Sequence, residues 1–297
     1  FSFFEPRILM HGELVHTITS DFVRLHGFYR ESKDTLITNA ETGAITAAIL
    51  THGLGGNFYS SRLLLHLAKV LESLGIHVVI ANTRGHDMIN SSTWAGKTRS
   101  VGAAFEDVAD SKMDISAWAD FLVKRGHNNI AAVGHSLGAI KSIYSQAFAA
   151  HPNIKNIIAL SATRLSYAKL CDSPRGELFR ETIQKCESLV ELNKGQNPIQ
   201  VPFPFPTWMS PQGYLDKYGP GESFNWLDFI DRIEIPTLML FGEKELNENV
   251  AFEGLRDDLA LLESRWNPLT IHEIEDADHF YTSRFSEVGE NIVRWLA

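Results

Sequence analysis

The sequence predicts an α/β fold: a mostly parallel central sheet with helices on both faces and a smaller inserted segment. Three observations predict it. Short apolar runs alternate with longer stretches of helical spacing, the rhythm of successive β-α units. A serine flanked by glycines stands at one of the strand-to-helix junctions. The rhythm then breaks once, over residues 164–225, before it resumes. The expected division is a core of residues 1–163 and 226–297 with a small cap over 164–225.

The elements follow in order. Leu14–Thr19 and Phe22–Tyr29 read as a hairpin turning at Ser20-Asp21. Ala47-Ala48-Ile49-Leu50 is a short apolar strand that ends at Thr51-His52-Gly53. A helix follows with Leu63, Leu64, Leu67, Val70 and Leu71 on one face, and Gly75 stops it as a C-terminal glycine does. His77–Ala81 is the next strand. Phe105–Val123 has helical spacing and leads through Gly126-His127-Asn128 into the strand Ile130–Val133. Ala139–Ala150 is helical and Ile154–Leu160 is a strand. The interrupting segment opens with a helix at Glu177–Leu192. It then turns rich in proline and aromatics, Val201-Pro202-Phe203-Pro204-Phe205-Pro206-Thr207-Trp208. So many aromatics argue against disorder, and connections this long in a compact domain are commonly lids. Pro236–Phe241 is a buried strand, Leu269–Ile274 the last one, and Phe285–Ala297 a closing amphipathic helix.

Composition narrows the classes. The chain has 297 residues, 44% of them hydrophobic, enough for one large domain with an insertion. Its net charge of −9 and the lack of a basic stripe argue against a nucleic-acid partner. No apolar run approaches the roughly 20 residues that span a bilayer, so stable membrane insertion is not expected. Cys171 and Cys186 read as two free thiols of a cytoplasmic protein, with pairing the alternative in an exported one. The first residues lack a signal-peptide pattern, and the chain does not begin with Met, which leaves room for a removed targeting segment. His86 and His151 have no partners at metal-ligand spacing, and neither a metal nor another cofactor is expected.

The chemistry centres on Gly134-His135-Ser136-Leu137-Gly138, a G-x-S-x-G pattern between an apolar strand and a helix. A serine hydroxyl is a weak nucleophile until a histidine takes its proton, and that histidine needs a carboxylate to fix its tautomer. Both partners stand past later strands, in the order Ser, acid, His. Leu238–Phe241 runs into Gly242-Glu243-Lys244-Glu245, and Leu269–Ile274 runs into Glu275-Asp276-Ala277-Asp278-His279-Phe280.

On these residues the chain resembles the α/β-hydrolase superfamily, over nearly its whole length outside the cap. His52-Gly53-Leu54-Gly55-Gly56-Asn57 resembles that family's H-G-x-G segment and Arg84-Gly85-His86 its R-G-x-G segment. The serine pentapeptide, the Gly242–Glu245 acid loop and the Asp278-His279-Phe280 loop complete the series. The resemblance implies Ser136 as nucleophile, His279 as general base and acid, and Glu245 as the triad acid. The backbone N–H groups of Leu54 and Leu137 would form the oxyanion hole. The family more often carries Asp at the acid position, and Glu243 and Glu248 stay open as alternatives to Glu245.

Other residues carry plainer readings beside the functional ones. His52 is expected to support the oxyanion loop by bonding backbone, and His135 to pack under the serine or line the pocket. Arg84 is expected to tie its loop to backbone carbonyls or to bind a substrate carboxylate. Phe203, Phe205, Trp208 and Tyr214 either line a pocket or pack the cap onto the core. Trp94 reads as loop and Trp118 as core. The acidic run Glu273, Glu275, Asp276 and Asp278 would raise the pKa of His279 wherever it lies close.

The function implied is a serine esterase forming an acyl-enzyme on a small to medium, partly apolar ester. A thioesterase, an amidase or peptidase, and a carbon–carbon bond hydrolase share the same triad. A ligand receptor on a hydrolase fold is the reading from another class. Epoxide and haloalkane hydrolases are disfavoured, because those relatives carry Asp where this chain has Ser136.

Overall fold

Eight strands make one sheet in the computed structural model, which describes residues 11–33, 44–263 and 268–297. The expected N-terminal hairpin is β1 (Glu13–Ile18) and β2 (Arg24–Arg30). Next come β3 (Ala47–Thr51), α1 (Arg62–Ser73) and β4 (His77–Ala81). A separate hairpin, β5 (Asn90–Trp94) and β6 (Lys97–Val101), precedes α2 (Ser111–Lys124). Then follow β7 (Ile130–His135), α3 (Leu137–Ala149) and β8 (Ile154–Leu160). Between β8 and the next sheet strand lie α4 (Tyr167–Asp172), α5 (Gly176–Glu191), β9 (Ile199–Val201), β10 (Thr207–Met209) and α6 (Pro211–Tyr218). The chain closes with β11 (Thr237–Gly242), α7 (Glu243–Glu248), α8 (Leu255–Glu263), β12 (Leu269–Ile274) and α9 (Phe285–Leu296).

The sheet order is β1-β2-β4-β3-β7-β8-β11-β12. The pairs β1–β2 and β2–β4 are antiparallel, and every later pair is parallel. Side chains of one strand divide between two cores. Ala48 and Leu50 of β3 pack with Leu64 and Leu67 of α1 and Ile292 of α9. Ala47 and Ile49 pack on the other face with Trp118 and Leu122 of α2. A strand covered on both faces needs apolar side chains at every position, which is why these strands read as unbroken apolar runs. Each such Leu or Ile contributes about 1.5–3 kcal/mol by leaving water. Ser61 caps α1 by accepting the Leu64 N–H, and Gly75 takes the left-handed conformation (φ 85°) that ends the helix.

Two readings change. Trp94 is in β5, not a loop, and its ring lies 4.6 Å from the Arg24 guanidinium. Arg84 binds carboxylates, not carbonyls: Asp21, Asp110 and Asp114 lie 3.0, 2.6 and 3.0 Å from its nitrogens. That cluster ties the β1–β2 turn, the loop after β4 and α2 together, with no charge left for a substrate. The segment between β8 and β11 also shares the main core. Its Phe179, Ile183, Tyr214 and Trp226 pack in one cluster with Ile140 of α3 and Phe241 of β11. Cys171 and Cys186 are both free thiols.

Candidate active site

β3 and β7 are neighbours in the sheet, yet their next partners, β4 and β8, lie on opposite sides. Such a reversal opens a crevice at the carboxyl ends of the strands. Thr51 pairs with Gly134 in register, so the His52 loop and Ser136 leave the sheet side by side.

Ser136 sits between β7 and α3 with φ 56° and ψ −122°. A side chain there avoids its neighbours only at a cost of about 1–3 kcal/mol, which the surrounding structure must hold. The flanking glycines are fixed by sterics. A Cβ on Gly134 would overlap the Gly138 carbonyl, and one on Gly138 would lie 2.6 Å from the carbonyl oxygens of Thr51 and His52. The Ser136 N–H donates to the Leu160 carbonyl at the end of β8 (2.8 Å). The result is a sharp turn that lifts the hydroxyl clear of the sheet.

His279, five residues past β12, brings Nε2 to 3.0 Å from Ser136 Oγ. Its Nδ1 lies 2.7 Å from Glu245 Oε2. The other carboxylate oxygen, Oε1, accepts from Ser161 Oγ (2.7 Å) and from the Gly242 N–H (2.7 Å). Glu245 is only 2% exposed, so three donors hold it in one orientation. An acceptor at Nδ1 places that proton on Nδ1 and leaves Nε2 to accept from the serine. Of the three glutamates open in the sequence, only Glu245 makes this contact. Glu243 accepts the Asp276 N–H at 2.9 Å, and Glu248 is exposed. Two members of the acidic run have other partners: Asp278 accepts the N–H groups of Phe280 and Thr282, and Glu273 pairs with Arg256.

Two further histidines frame the serine. His52 donates from Nδ1 to the Gly53 carbonyl (2.8 Å) and accepts the Thr83 N–H at Nε2 (3.2 Å). His135 donates from Nε2 to the His279 carbonyl (2.7 Å). Burial pushes each down to about 3, with the Lys141 ammonium second for His52, so both rings are neutral at pH 7. A Cβ on Gly53 would come within 3.0 Å of Ser136 Cβ, so glycine lets the loop touch the serine. Leu137 opens α3, where an N–H has no helical partner, and among the described residues the Leu54 N–H has no backbone partner.

A cavity of about 1060 Å³ opens onto Ser136 and His279. His52, His135, Leu54, Leu137 and Phe205 line it. Phe203 and Trp208 do not. Phe203 is fully buried against Phe179 and Val201, and Trp208 is 48% exposed. On a strand as short as β10, alternate side chains face opposite ways, so Thr207 and Met209 turn inward and Trp208 outward. Sequence reading also missed lining residues Leu165, Leu170, Tyr218 and Val250, and the Glu245 partner Ser161. Ser161 follows β8 directly, and a strand's carboxyl end was the available signal. Among the described residues no three His, Cys, Asp or Glu side chains gather as a metal-binding group.

No family model matches the chain, and no curated protein matches it. Solved structures do. An alpha/beta hydrolase, GrgF from Penicillium sp. sh18, superposes with a TM-score of 0.70 at 16% identity, over 97% of this chain and 98% of that one. Est1E from Butyrivibrio proteoclasticus gives 0.62 at 15%, over 96% and 98%. An alpha-beta serine hydrolase homologue from Coxiella burnetii gives 0.58 at 16%, over 98% and 100%. The chain has the α/β-hydrolase fold.

Proposed function

We propose that this chain is a serine hydrolase that cleaves carboxylic esters of modest size through an acyl-enzyme on Ser136. The observation that carries the proposal is the line Ser136 Oγ, His279, Glu245, with contacts of 3.0 and 2.7 Å. Structures of the same fold that are titled as esterases support it, the Pyrococcus furiosus esterase PF2001 and an esterase domain from a Rhodothermus marinus protein being two.

In the first half-reaction Ser136 Oγ bonds to the ester carbonyl carbon and its proton passes to His279 Nε2. The carbonyl oxygen becomes an oxyanion, which the N–H groups of Leu54 and Leu137 receive. The intermediate collapses, the ester C–O bond breaks, and the leaving alkoxide takes the proton from His279. A water then loses a proton to His279 and attacks the acyl carbon. The Ser136–acyl bond breaks, Ser136 regains its proton, and the acid departs. Glu245 keeps its hydrogen bond with His279 Nδ1 and stabilises the imidazolium. Each oxyanion donor contributes on the order of 10²–10³ to kcat.

Residues 164–225 act as the cap over this site. Leu165, Leu170, Phe205 and Tyr218 from that segment line the cavity and favour an apolar acyl or alcohol portion. The test is turnover of p-nitrophenyl acetate and butyrate, with a thioester and an anilide of the same acyl group alongside. The proposal expects ester turnover that Ser136→Ala removes. Turnover of the thioester or anilide alone would contradict the ester assignment.

A further inference from the structure

Lys141 lies on α3 one turn past the serine and is fully buried. A buried ammonium ion costs several kcal/mol unless it is paired and hydrogen-bonded. Lys141 Nζ has both: Glu106 Oε1 lies at 2.5 Å, and Thr83 Oγ1 accepts from it at 2.8 Å. Glu106 is itself buried, and its backbone carbonyl accepts from Lys217 Nζ of α6 at 2.5 Å. None of these groups belongs to the serine, histidine and glutamate line.

Thr83 connects them to the loop beside Ser136. With the lysine donating to its oxygen, the Thr83 hydroxyl proton points onward to His52 Nε2, 3.4 Å away. The Thr83 N–H reaches the same nitrogen at 3.2 Å. Two donors on Nε2 put the ring proton on Nδ1, which donates to the Gly53 carbonyl at 2.8 Å. That carbonyl also accepts the Gly56 N–H at 3.1 Å. In a trans peptide the C=O and the following N–H point in opposite directions. Pinning the Gly53 carbonyl therefore aims the Leu54 N–H the other way.

We propose that Lys141 is a positioning residue, which through Thr83 and His52 fixes the Gly53–Leu54 peptide and so the aim of the Leu54 amide at the oxyanion. The inference rests on the hydrolase reading of Ser136. It accounts for a lysine that a purely structural core would replace by an apolar residue. It also accounts for His52, whose ring touches the loop and no part of the triad.

The test compares Thr83→Val, Thr83→Ser and the double variant Lys141→Met/Glu106→Gln, which removes Lys141 together with its carboxylate partner. Ester turnover and amide hydrogen exchange at residues 53–56 are read on each folded variant. Thr83→Val and the double variant are expected to lower kcat about 10- to 100-fold with KM within about threefold, because only the transition state carries the oxyanion. Exchange at residues 53–56 should quicken in both. Thr83→Ser, which keeps the hydroxyl, should return kcat and exchange to the parent values. Parent-like kcat and exchange in Thr83→Val would overturn the proposal, as would a Thr83→Ser variant as slow as Thr83→Val. A parent inert to esters would instead overturn the ester assignment, while the exchange arm still decides whether Thr83 and Lys141 hold the loop.

Discussion

The ring beside Ser136 is held in one tautomer by one carboxylate, the arrangement on which the proposed chemistry depends. Replacing Ser136 by Ala should therefore lower kcat on p-nitrophenyl esters by on the order of 10⁴-fold or more. A residue-level split is expected at the acid as well. Glu245→Gln should cost on the order of 10³–10⁴ in kcat, since the amide no longer enforces the tautomer, whereas Glu243→Gln should stay within about threefold. Steady-state kinetics of the two variants checks this, and the reverse ranking would sink the assignment. The approach of His279 to Ser136 was legible in sequence because each residue follows a strand in the proposed order. The acid was not uniquely legible. Glu243 and Glu245 lie two residues apart at the start of α7, and only the fold turns one to His279 and the other to the Asp276 amide. Ser161 and Lys141 were silent for a different reason. A lone serine or lysine carries no motif, and its role exists only through neighbours distant in the chain.

The elements that carry the site were the easiest to read, since parallel strands buried on both faces leave plain apolar runs. The β5–β6 hairpin escaped because Asn90-Ser91-Ser92-Thr93 and Lys97-Thr98-Arg99-Ser100 are polar on both faces. Its turn signal, Ala95-Gly96 with both φ positive (50° and 76°), is weak in sequence because alanine rarely occupies that region. In the stretch Phe203–Trp208 alternating prolines hide the pattern, and three aromatics that looked alike take three environments: core, cavity wall and solvent. Phe205→Ala is accordingly expected to raise KM several-fold for an apolar acyl ester such as p-nitrophenyl butyrate. Trp208→Ala should leave KM within about twofold. Equal effects at both positions would contradict the cavity wall described above. Across α1, Leu67 faces the core beneath β3 with no exposed surface. Leu67→Ala should lower the unfolding free energy by about 2–5 kcal/mol, read from urea titrations, with the triad chemistry unchanged in the folded fraction.

At the scale of the whole molecule, the neutral buried histidines tie stability to pH. His52 and His135 are held near 3 in the fold, against 6.5 for an ordinary histidine. Between those values the unfolded chain binds protons that the native chain refuses, so unfolding takes up protons. Stability is then fully present above 6.5 and is lost as pH falls toward 3. At about pH 5 each ring lowers stability by about 2 kcal/mol, on the order of 4 kcal/mol for the pair. Urea midpoints should fall markedly between about pH 7.5 and pH 5, and a flat profile would contradict neutral burial. The overall architecture was legible from the alternation of strands and helices. The way residues 164–225 share the main core was not, because packing between distant segments leaves no period in a sequence. The central claim, that Ser136 is a nucleophile activated by His279, has one direct measurement: intact-protein and peptide mass spectrometry after exposure to a fluorophosphonate. A single adduct on Ser136 is expected in the parent protein, none in Ser136→Ala, and labelling slowed by orders of magnitude in His279→Ala. A parent protein that takes up no adduct, or carries it on another residue, would contradict it.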